Sequence, residues 1–399
     1  MMRFPGKPFG ALLALTLIAP TAPARAGEDR DDDDRDGQPV AELTWMSIAN
    51  WYFKVGDVRI IMDGYFTRVP GPPFFFGGGG GLKNTVAPFS VDVPAVVRVR
   101  YALDAGGRLD YVIAGHSHFD HTYDTATWSA LTNAPIIGGI TTCLQAQAEG
   151  LPASQCLNVK GGERLELADD VTMRVVRWNH SGNHLTNPEQ HDPVELHAAP
   201  VPDPVTGGLR AGVGEDFPNG GGGRMYLFTV GRGRHQLSFF VNNSASAVDL
   251  TKDIIVDGVN YGAPLDNLQK ALDDAGLSNV DLWIGTGGAA VAQLVVPVLH
   301  PRFYIPNHWD GLYNPFFKGL PFPYKDSALK AYLDSMGIPM LPQTQYFDKY
   351  RLDKDGVTKV PNTAQKRKLG FADVQAFAAA TIRAAAAALT TALPDDCSQ

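Results

Sequence analysis

The chain has 399 residues, a formal net charge of −8 at neutral pH and 19% charged residues. Proteins hold nucleic-acid phosphates with clustered lysine and arginine, so this acidic balance argues against a nucleic-acid partner. The length suits one large domain or two smaller ones, and no Pro/Ser-rich linker divides it.

The first 26 residues have the form of a secretory signal. Arg3 and Lys7 precede an apolar run over 11–19, and Ala24-Arg25-Ala26 has the small-x-small form of a signal-peptidase site. The apolar run is shorter than the roughly 20 residues that a membrane-spanning helix needs. We therefore expect a signal peptide over 1–26, a periplasmic or secreted protein, and no integral membrane segment after cleavage.

An acidic segment follows over 27–40. Seven acids and two arginines occupy 28–36 without an apolar residue among them. This composition predicts a solvated, disordered linker. A calcium loop is the alternative, but the run lacks the glycine and the distal glutamate of such a loop. A single folded domain is then expected over 41–395.

Hydrophobic patterning predicts the main elements of this domain. Apolar runs rich in β-branched residues predict strands at 58–62, 111–114, 171–178, 225–230, 236–241 and 282–284. Helical spacing occurs at 125–131, 265–275, 327–336 and in the alanine-rich stretch 372–389. Near-continuous apolar strands are typical of sheets covered on both faces.

The turn after the strand at 111–114 carries the most informative motif of the chain. His116, His118, Asp120 and His121 stand within six residues and include three of the ten histidines. Imidazole nitrogens and carboxylate oxygens are ligands of Zn²⁺. We predict that His116 and His118 reach one ion while Asp120 and His121 reach a second.

At these residues the sequence resembles the metallo-β-lactamase superfamily, whose signature is HxHxDH after a buried strand. The resemblance implies an αβ/βα four-layer sandwich with two zinc ions, one ion being the alternative. It implies that His180, after the strand at 171–178, completes the first site. His308, in an Ile-Pro-Asn-His sequence similar to the branch of sugar-phosphate lactonases and lipid phosphodiesterases, would complete the second. Asp63 and Asp110 match acidic positions beside the early strands.

One position departs from the family pattern. Most hydrolases of the superfamily carry an Asp that bridges the two metals, whereas here the matching strand at 236–241 runs into Asn243. We expect the Asn243 carbonyl to be an uncharged metal ligand. Three outcomes stay open: a weakly held second ion, a one-ion enzyme, or a site like that of true β-lactamases, which also lack this Asp. Asp249 and Asp253 are the alternative carboxylates.

Other residues near the motif bear on the substrate. His184 follows the strand-end histidine and is expected to donate a proton or contact the substrate. The insertion at 66–90 is rich in proline, phenylalanine and glycine, which predicts either a mobile aromatic flap or a completion of the core. A second aromatic insertion over 309–324 predicts an apolar pocket wall, and hence a small-molecule substrate with an apolar part.

The three cysteines leave one without an intramolecular partner. Cys143 and Cys156 are close in sequence and could pair in an oxidising compartment, with Cys397 as the odd thiol. Whether they pair stays open.

The resemblance implies an exported zinc-dependent hydrolase in which a metal-bound hydroxide attacks an ester, lactone or phosphodiester bond. Asp120 would orient this nucleophile and pass a proton to the leaving group. The alternatives are a β-lactam-hydrolysing enzyme, a non-catalytic metal- or ligand-binding protein that lost the bridging Asp, and an iron-dependent redox enzyme.

Overall fold

The computed structural model describes residues 39–70, 88–103, 107–212, 216–233 and 236–371. Five predictions therefore lie outside the described residues: the signal peptide, the acidic linker up to residue 38, the phenylalanine and glycine run of the first insertion, the alanine-rich helix, and the state of Cys397.

Eighteen strands and nine helices form the described part of the chain. The strands are β1 Ala41–Ser47, β2 Asn50–Val55, β3 Val58–Met62, β4 Pro88–Phe89, β5 Tyr111–Ile113, β6 Ile136–Gly138, β7 Cys156–Asn158, β8 Arg164–Ala168, β9 Val171–Trp178, β10 Leu209–Arg210, β11 Gly223–Val230, β12 Leu237–Val241, β13 Ile255–Val256, β14 Val259–Asn260, β15 Val280–Gly285, β16 Pro301–Pro306, β17 Asp348–Asp353 and β18 Gly356–Val360. The helices are α1 Val93–Ala102, α2 Phe119–Thr122, α3 Thr125–Thr132, α4 Ile140–Ala148, α5 Pro188–His191, α6 Pro264–Ala275, α7 Gly288–Leu299, α8 Ser327–Ser335 and α9 Thr363–Leu369.

Two large mixed sheets form the centre of the molecule. The first has eight strands in the order β18-β17-β1-β2-β3-β5-β6-β7, and the second has six in the order β16-β15-β12-β11-β9-β8. Their inner faces pack together: the Phe53 ring lies 5.9 Å from that of Phe228 and 5.5 Å from that of Phe239. Residues of both sheets thus share one hydrophobic core.

Helices cover the outer faces. On the second sheet, Phe240 and Trp283 point outward into a separate cluster with residues of α6, α7 and α8. On the first sheet, α3 and α4 contact β5, β6 and β7, and α1 packs against α3 and α9. The layer order is helix, sheet, sheet, helix, which confirms the predicted α/β sandwich.

The carboxyl ends of several strands meet at one edge of the sandwich. Strands β12, β15 and β16 are parallel, and β9 runs in the same direction because β11 is antiparallel to both β9 and β12. The loops that carry the predicted ligands leave β5, β9, β12 and β16. Two features of the sequence analysis lie away from this edge. Asp110, at the other end of β5, accepts a hydrogen bond from the Arg59 N–H. Cys143 and Cys156 form a disulfide between α4 and β7.

No helix among the described residues combines the length and apolar character needed to cross a membrane.

Candidate metal centre

The first cluster consists of three buried imidazoles from the ends of β5 and β9. His116 Nε2 lies 3.2 Å from His118 Nδ1, and His118 Nδ1 lies 3.1 Å from His180 Nε2. The three side chains are at most 5% exposed. Their potential ligand atoms all lie within 4.8 Å of one another, so one cation could contact all three.

The proton positions of His116 and His180 are fixed by hydrogen-bond acceptors next to their Nδ1 atoms. His116 Nδ1 lies 3.2 Å from Asn243 Oδ1, and His180 Nδ1 lies 3.1 Å from the Ser181 carbonyl. Both partners accept hydrogen bonds, so each Nδ1 carries the proton and each Nε2 presents a lone pair. The convergence of such lone pairs fits a metal ion.

The acid–base properties of the first cluster agree with this arrangement. Burial, together with the neighbouring His121 and His180, holds the pKa of His116 well below its usual value. Burial and His118 do the same to the pKa of His180, and burial lowers the pKa of His118 to about 3. All three imidazoles are therefore neutral at physiological pH, the form that binds metal.

The second cluster joins a carboxylate to two imidazoles. His308 Nε2 lies 3.0 Å from Asp120 Oδ2 and 3.2 Å from His121 Nε2. Asp120 and His121 belong to the short helix α2, which begins directly after His118. Despite its burial, Asp120 has a pKa well below its usual value because His121 and His308 lie beside it. The cluster therefore contributes an ionised carboxylate.

The two clusters are in contact. The ring centroids of His116, in the first cluster, and His121, in the second, are 3.9 Å apart. In the described part of the chain, these are the two groups of three His, Cys, Asp or Glu side chains with convergent ligand atoms. The arrangement fits a pair of neighbouring cations.

Asp63 supports the second cluster from below. It ends β3 with a left-handed backbone, at a φ of 62°. Its carboxylate lies 2.8 Å from His121 Nδ1 and accepts hydrogen bonds from the Gly115 N–H and the Asn243 side-chain amide, both at 2.9 Å. A carboxylate behind a ligating imidazole fixes its orientation and increases its basicity.

The Asn243 side chain does not point into either cluster, although the sequence predicts it as a metal ligand. Its side chain contacts the Nδ1 atoms of His116 and His121, at 3.2 and 3.1 Å, and these nitrogens face away from the clusters. Asn243 occupies the space beside Gly115, where a Cβ atom would lie 2.0 Å from its amide nitrogen. The amide is drawn there because it donates to Asp63 and accepts from His116 at the same time.

His308 is held in place by its backbone. It adopts a left-handed φ of 54°, and its N–H donates to the Ile48 carbonyl at 3.0 Å. The Ile48 N–H in turn donates to Asp310 at 2.7 Å, and the Tyr346 hydroxyl donates to the other oxygen of that carboxylate. The last ligand is thus anchored to β1 and to the segment before β17.

His184 lies apart from both clusters. Its side chain is 74% exposed and pairs with Asp192 at 2.6 Å, although it lines the same cavity as His180. Asp249 does not replace the bridging carboxylate, because it contacts His191 Nε2 at 2.6 Å. Asp253 accepts from the Asn260 side chain instead.

The aromatic residues of the second insertion divide between core and cavity. Phe316 is 2% exposed and belongs to the core, where its ring lies 4.8 Å from that of Phe66. Tyr313, Phe316 and Phe317 line a cavity of about 410 Å³ beside Arg68. Tyr313 also stacks on Phe119, the residue before Asp120, with centroids 6.2 Å apart. Tyr313 therefore connects this aromatic cavity to the residue before Asp120, while no residue of either cluster is among those that line the cavity in the described part of the chain.

Sequence reasoning did not assign their observed contacts to several residues that shape the site. The Ser181 carbonyl orients His180, and His191 bridges the His180 carbonyl and Asp249. Trp178 and Asn219 line the cavity beside His180. A lone serine, tryptophan or asparagine carries no spacing signal, so the sequence alone did not single them out.

Comparison with known proteins gives partial matches. No family model matches the chain. A UPF0173 metal-dependent hydrolase of Pyrobaculum islandicum is 32% identical over 142 residues, which cover 36% of this chain and 52% of the relative. A similar protein of Pyrobaculum arsenaticum is 24% identical over the same shares. The chain thus spans about half the length of the curated relatives it matches.

Among solved structures, a metallo hydrolase of Ignicoccus hospitalis superposes with a TM-score of 0.44 at 13% identity, covering 78% of this chain and 98% of that one. The α/β sandwich, the HxHxDH motif after β5 and the two ligand clusters at the strand ends are features of this chain itself and do not depend on that match. Over about a third of its length, the chain is therefore similar in sequence to these metal-dependent hydrolases.

Proposed function

We propose that this protein is an exported, zinc-dependent hydrolase that acts on an ester, lactone or phosphodiester bond. The observation that carries the proposal is the convergence of two three-residue clusters that touch each other through His116 and His121. Histidine with few carboxylates suits Zn²⁺, whereas iron redox sites of this scaffold use more carboxylate.

The residues of each cluster have separate tasks in this proposal. His116, His118 and His180 would hold one ion, while Asp120, His121 and His308 would hold the other. A bound zinc pair supplies Lewis acidity and lowers the pKa of water to about 7, so that a nucleophile exists at neutral pH.

Asp120 is proposed as the residue that moves the proton. Its carboxylate is ionised and lies within 3.0–3.2 Å of His308 and His121 in the second cluster. From there it can accept a proton from the attacking water and return it to the leaving group. His184 is proposed as a second proton donor, since it lines the cavity that also contains His180.

A substrate with an apolar part is supported by the aromatic cavity beside Arg68, since Tyr313 on its wall stacks on Phe119, the residue before Asp120. Export is supported by the signal-like N-terminal sequence and by the Cys143–Cys156 disulfide, since disulfides persist in oxidising compartments.

A β-lactam-hydrolysing enzyme is the second candidate. The observation that favours it is the position of Asn243, which leaves Asp120 as the carboxylate of the two clusters. The sequence resembles true β-lactamases in that both lack the bridging Asp.

Metal content and hydrolysis test the proposal together. The purified protein is dialysed without chelator, its Zn, Fe and Mn are counted by elemental analysis, and it is assayed on ester, lactone, phosphodiester and β-lactam substrates. We expect close to two zinc ions per chain and one after His121→Ala. Two tightly held ions with no hydrolysis of any substrate would favour the non-catalytic binding protein, and absence of metal would refute the hydrolase.

A further inference from the structure

The loop that follows β9 folds back onto the third ligand of the first cluster. His180 begins this loop, and His191 ends the short helix α5, 11 residues further along the chain. The His191 ring is buried, and its Nδ1 lies 2.9 Å from the His180 carbonyl and 3.2 Å from the Ser181 carbonyl. A carbonyl only accepts hydrogen bonds, so His191 Nδ1 carries a proton and donates to both oxygens.

The Ser181 carbonyl also accepts a hydrogen bond from the ligand itself. It lies 3.1 Å from His180 Nδ1, and the Ser181 N–H donates to Ser244 Oγ at 2.9 Å. A carbonyl oxygen has two lone pairs, so two imidazoles can donate to it at the same time. Both backbone groups of Ser181 are therefore held by hydrogen bonds, and the position of its carbonyl determines the orientation of the His180 ring.

The other ring nitrogen of His191 contacts a carboxylate from the segment after β12. His191 Nε2 lies 2.6 Å from Asp249 Oδ2, a distance at which a proton lies between the two atoms. The other oxygen of Asp249 lies 2.8 Å from Lys252 Nζ. Partial burial raises the pKa of Asp249, but Lys252 and His191 together hold it below its usual value. Asp249, which the sequence offered as an alternative bridging carboxylate, thus supports a histidine instead.

The second cluster has a related arrangement with fewer steps. Asp63 contacts the ligand His121 directly at Nδ1, whereas Asp249 reaches His180 through His191 and a backbone carbonyl. Partners behind metal ligands affect metal affinity because they fix the ligand's orientation. Since the Ser181 carbonyl is shared between two donors, His191 contributes to the position of this oxygen.

We infer that His191 and Asp249 are positioning residues of the metal centre. Together they hold the Ser181 carbonyl against the Nδ1 atom of the third ligand and so set the affinity of the first ion. The inference rests on the proposed function, since it requires the first cluster to bind a metal ion. His191 acts through backbone carbonyls and is not itself one of the clustered ligands.

The affinities of the two ions in the same protein test this role. His191→Phe removes the N–H donor but keeps a ring, and we expect it to weaken the first Zn²⁺ about tenfold. The second ion should change little. Competition with a chromophoric chelator gives both constants, and a general loss of folded protein would affect both sites alike. His197→Phe, at an exposed histidine, is the matched control.

Two further variants separate the hydrogen bond from the filling of space. His191→Asn places an amide N–H close to the position of Nδ1, so it should restore most of the affinity that His191→Phe loses. Asp249→Asn should weaken the first ion in the same direction but less, with Asp253→Asn, at an exposed residue of the same segment, as its control. The Asp249 side chain is 20% exposed, so this variant carries the comparison if His191→Phe does not fold. An unchanged affinity for the first ion would overturn the inference.

A measurement on the metal-free protein separates this inference from the proposed reaction. Long-range ¹H–¹⁵N NMR spectra show which ring nitrogen of His180 carries the proton, with the signals assigned by their loss in His180→Gln. We expect the proton on Nδ1 in the unmodified protein and a mixture of both tautomers in His191→Phe. That result supports the inference even if the zinc-loaded protein hydrolyses no substrate, in which case the hydrolase proposal alone fails. An Nδ1 proton retained in full in His191→Phe would mean that the carbonyl needs no support, and the inference would be wrong.

Discussion

The two ligand clusters touch each other, yet they differ in charge. The first consists of three neutral imidazoles, with an amide oxygen behind His116 and a carbonyl behind His180. The second contains the Asp120 carboxylate and has a further carboxylate, Asp63, directly behind His121. The second site therefore has negatively charged groups although the chain lacks the bridging Asp, because two buried carboxylates lie around His121. It also implies that the two ions respond differently to mutation and to pH.

The largest effect is expected from removing one ligand of either cluster. His118→Ala and His308→Ala should each remove one zinc ion and lower hydrolysis by more than about 100-fold, since even the outer partners of metal ligands account for 10–100-fold. Elemental analysis and kcat/KM measure both effects. His197→Ala, at an exposed histidine outside both clusters, is the matched control. Retention of both ions in either ligand variant would contradict the assignment.

The next largest effect is expected from Asp63→Asn, which should weaken the second ion much more than the first. The substitution removes the charge behind His121 but keeps the shape, so the affinity for the second ion should fall about 10–100-fold. The first ion should change much less, because Asp63 contacts no imidazole of that cluster in a hydrogen bond. Competition with a chromophoric chelator gives both constants. Asp57→Asn, at an exposed turn, is the control, and equal weakening of both ions would show that the clusters are not independent.

The pH dependence of metal binding should also differ. Burial lowers the pKa of His121, but Asp120 and Asp63 together raise it to about 10. His121 therefore carries a proton at neutral pH when no cation is bound, and the second ion must displace it. Its affinity should rise about tenfold per pH unit between about pH 6 and 9.

The first ion should show little dependence over this range, because the pKa values of its three imidazoles lie below the usual one and no proton has to leave. Calorimetric titration with Zn²⁺ in two buffers of different ionisation enthalpy counts the protons released. Release of about one proton with the second ion and none with the first is expected. Release of equal numbers would contradict the charge difference between the clusters.

The smallest effect on the metals is expected from His184→Ala. Its contact with Asp192 is exposed, and even an ion pair at such a position contributes only about 0–1 kcal/mol. Metal content should therefore stay the same. A fall in kcat of about 100-fold with both ions retained, and with a changed pH profile, would assign the proton-donating role to His184. An unchanged kcat would remove that role.

Much of the fold was predictable because its pattern is local. The predicted strand at 171–178 coincides with β9, and the other five predicted strands agree with β3, β5, β11, β12 and β15 within two residues at each end. Buried strands read as continuous apolar runs, so their bounds stand out. The pairing of β17 with β1 was not predicted, since it joins Ala41 to Leu352 and nothing local encodes such a distance.

In the candidate site, too, the features with a local sequence pattern were predictable, and those that depend on residues distant in the chain were not. The positions brought together at the two clusters stood out because a metal requires specific residue types at the ends of strands. The direction of the Asn243 side chain could not be predicted, because the sequence shows which strand an amide follows but not which way it turns. Its direction depends on Asp63 and Gly115, which lie far from it in the chain.

The close approach of Gly115 to Asn243 couples two positions that are 128 residues apart in the chain. A side chain at 115 requires a smaller residue at 243, and a bulkier residue at 243 requires the glycine. A substitution at one of the two positions therefore has to be designed together with a substitution at the other. A carboxylate introduced at position 243 would lie next to the Asp63 carboxylate, with which the amide now forms a hydrogen bond, and the two negative charges would repel each other. Asp63 should therefore be replaced by a neutral residue in the same variant.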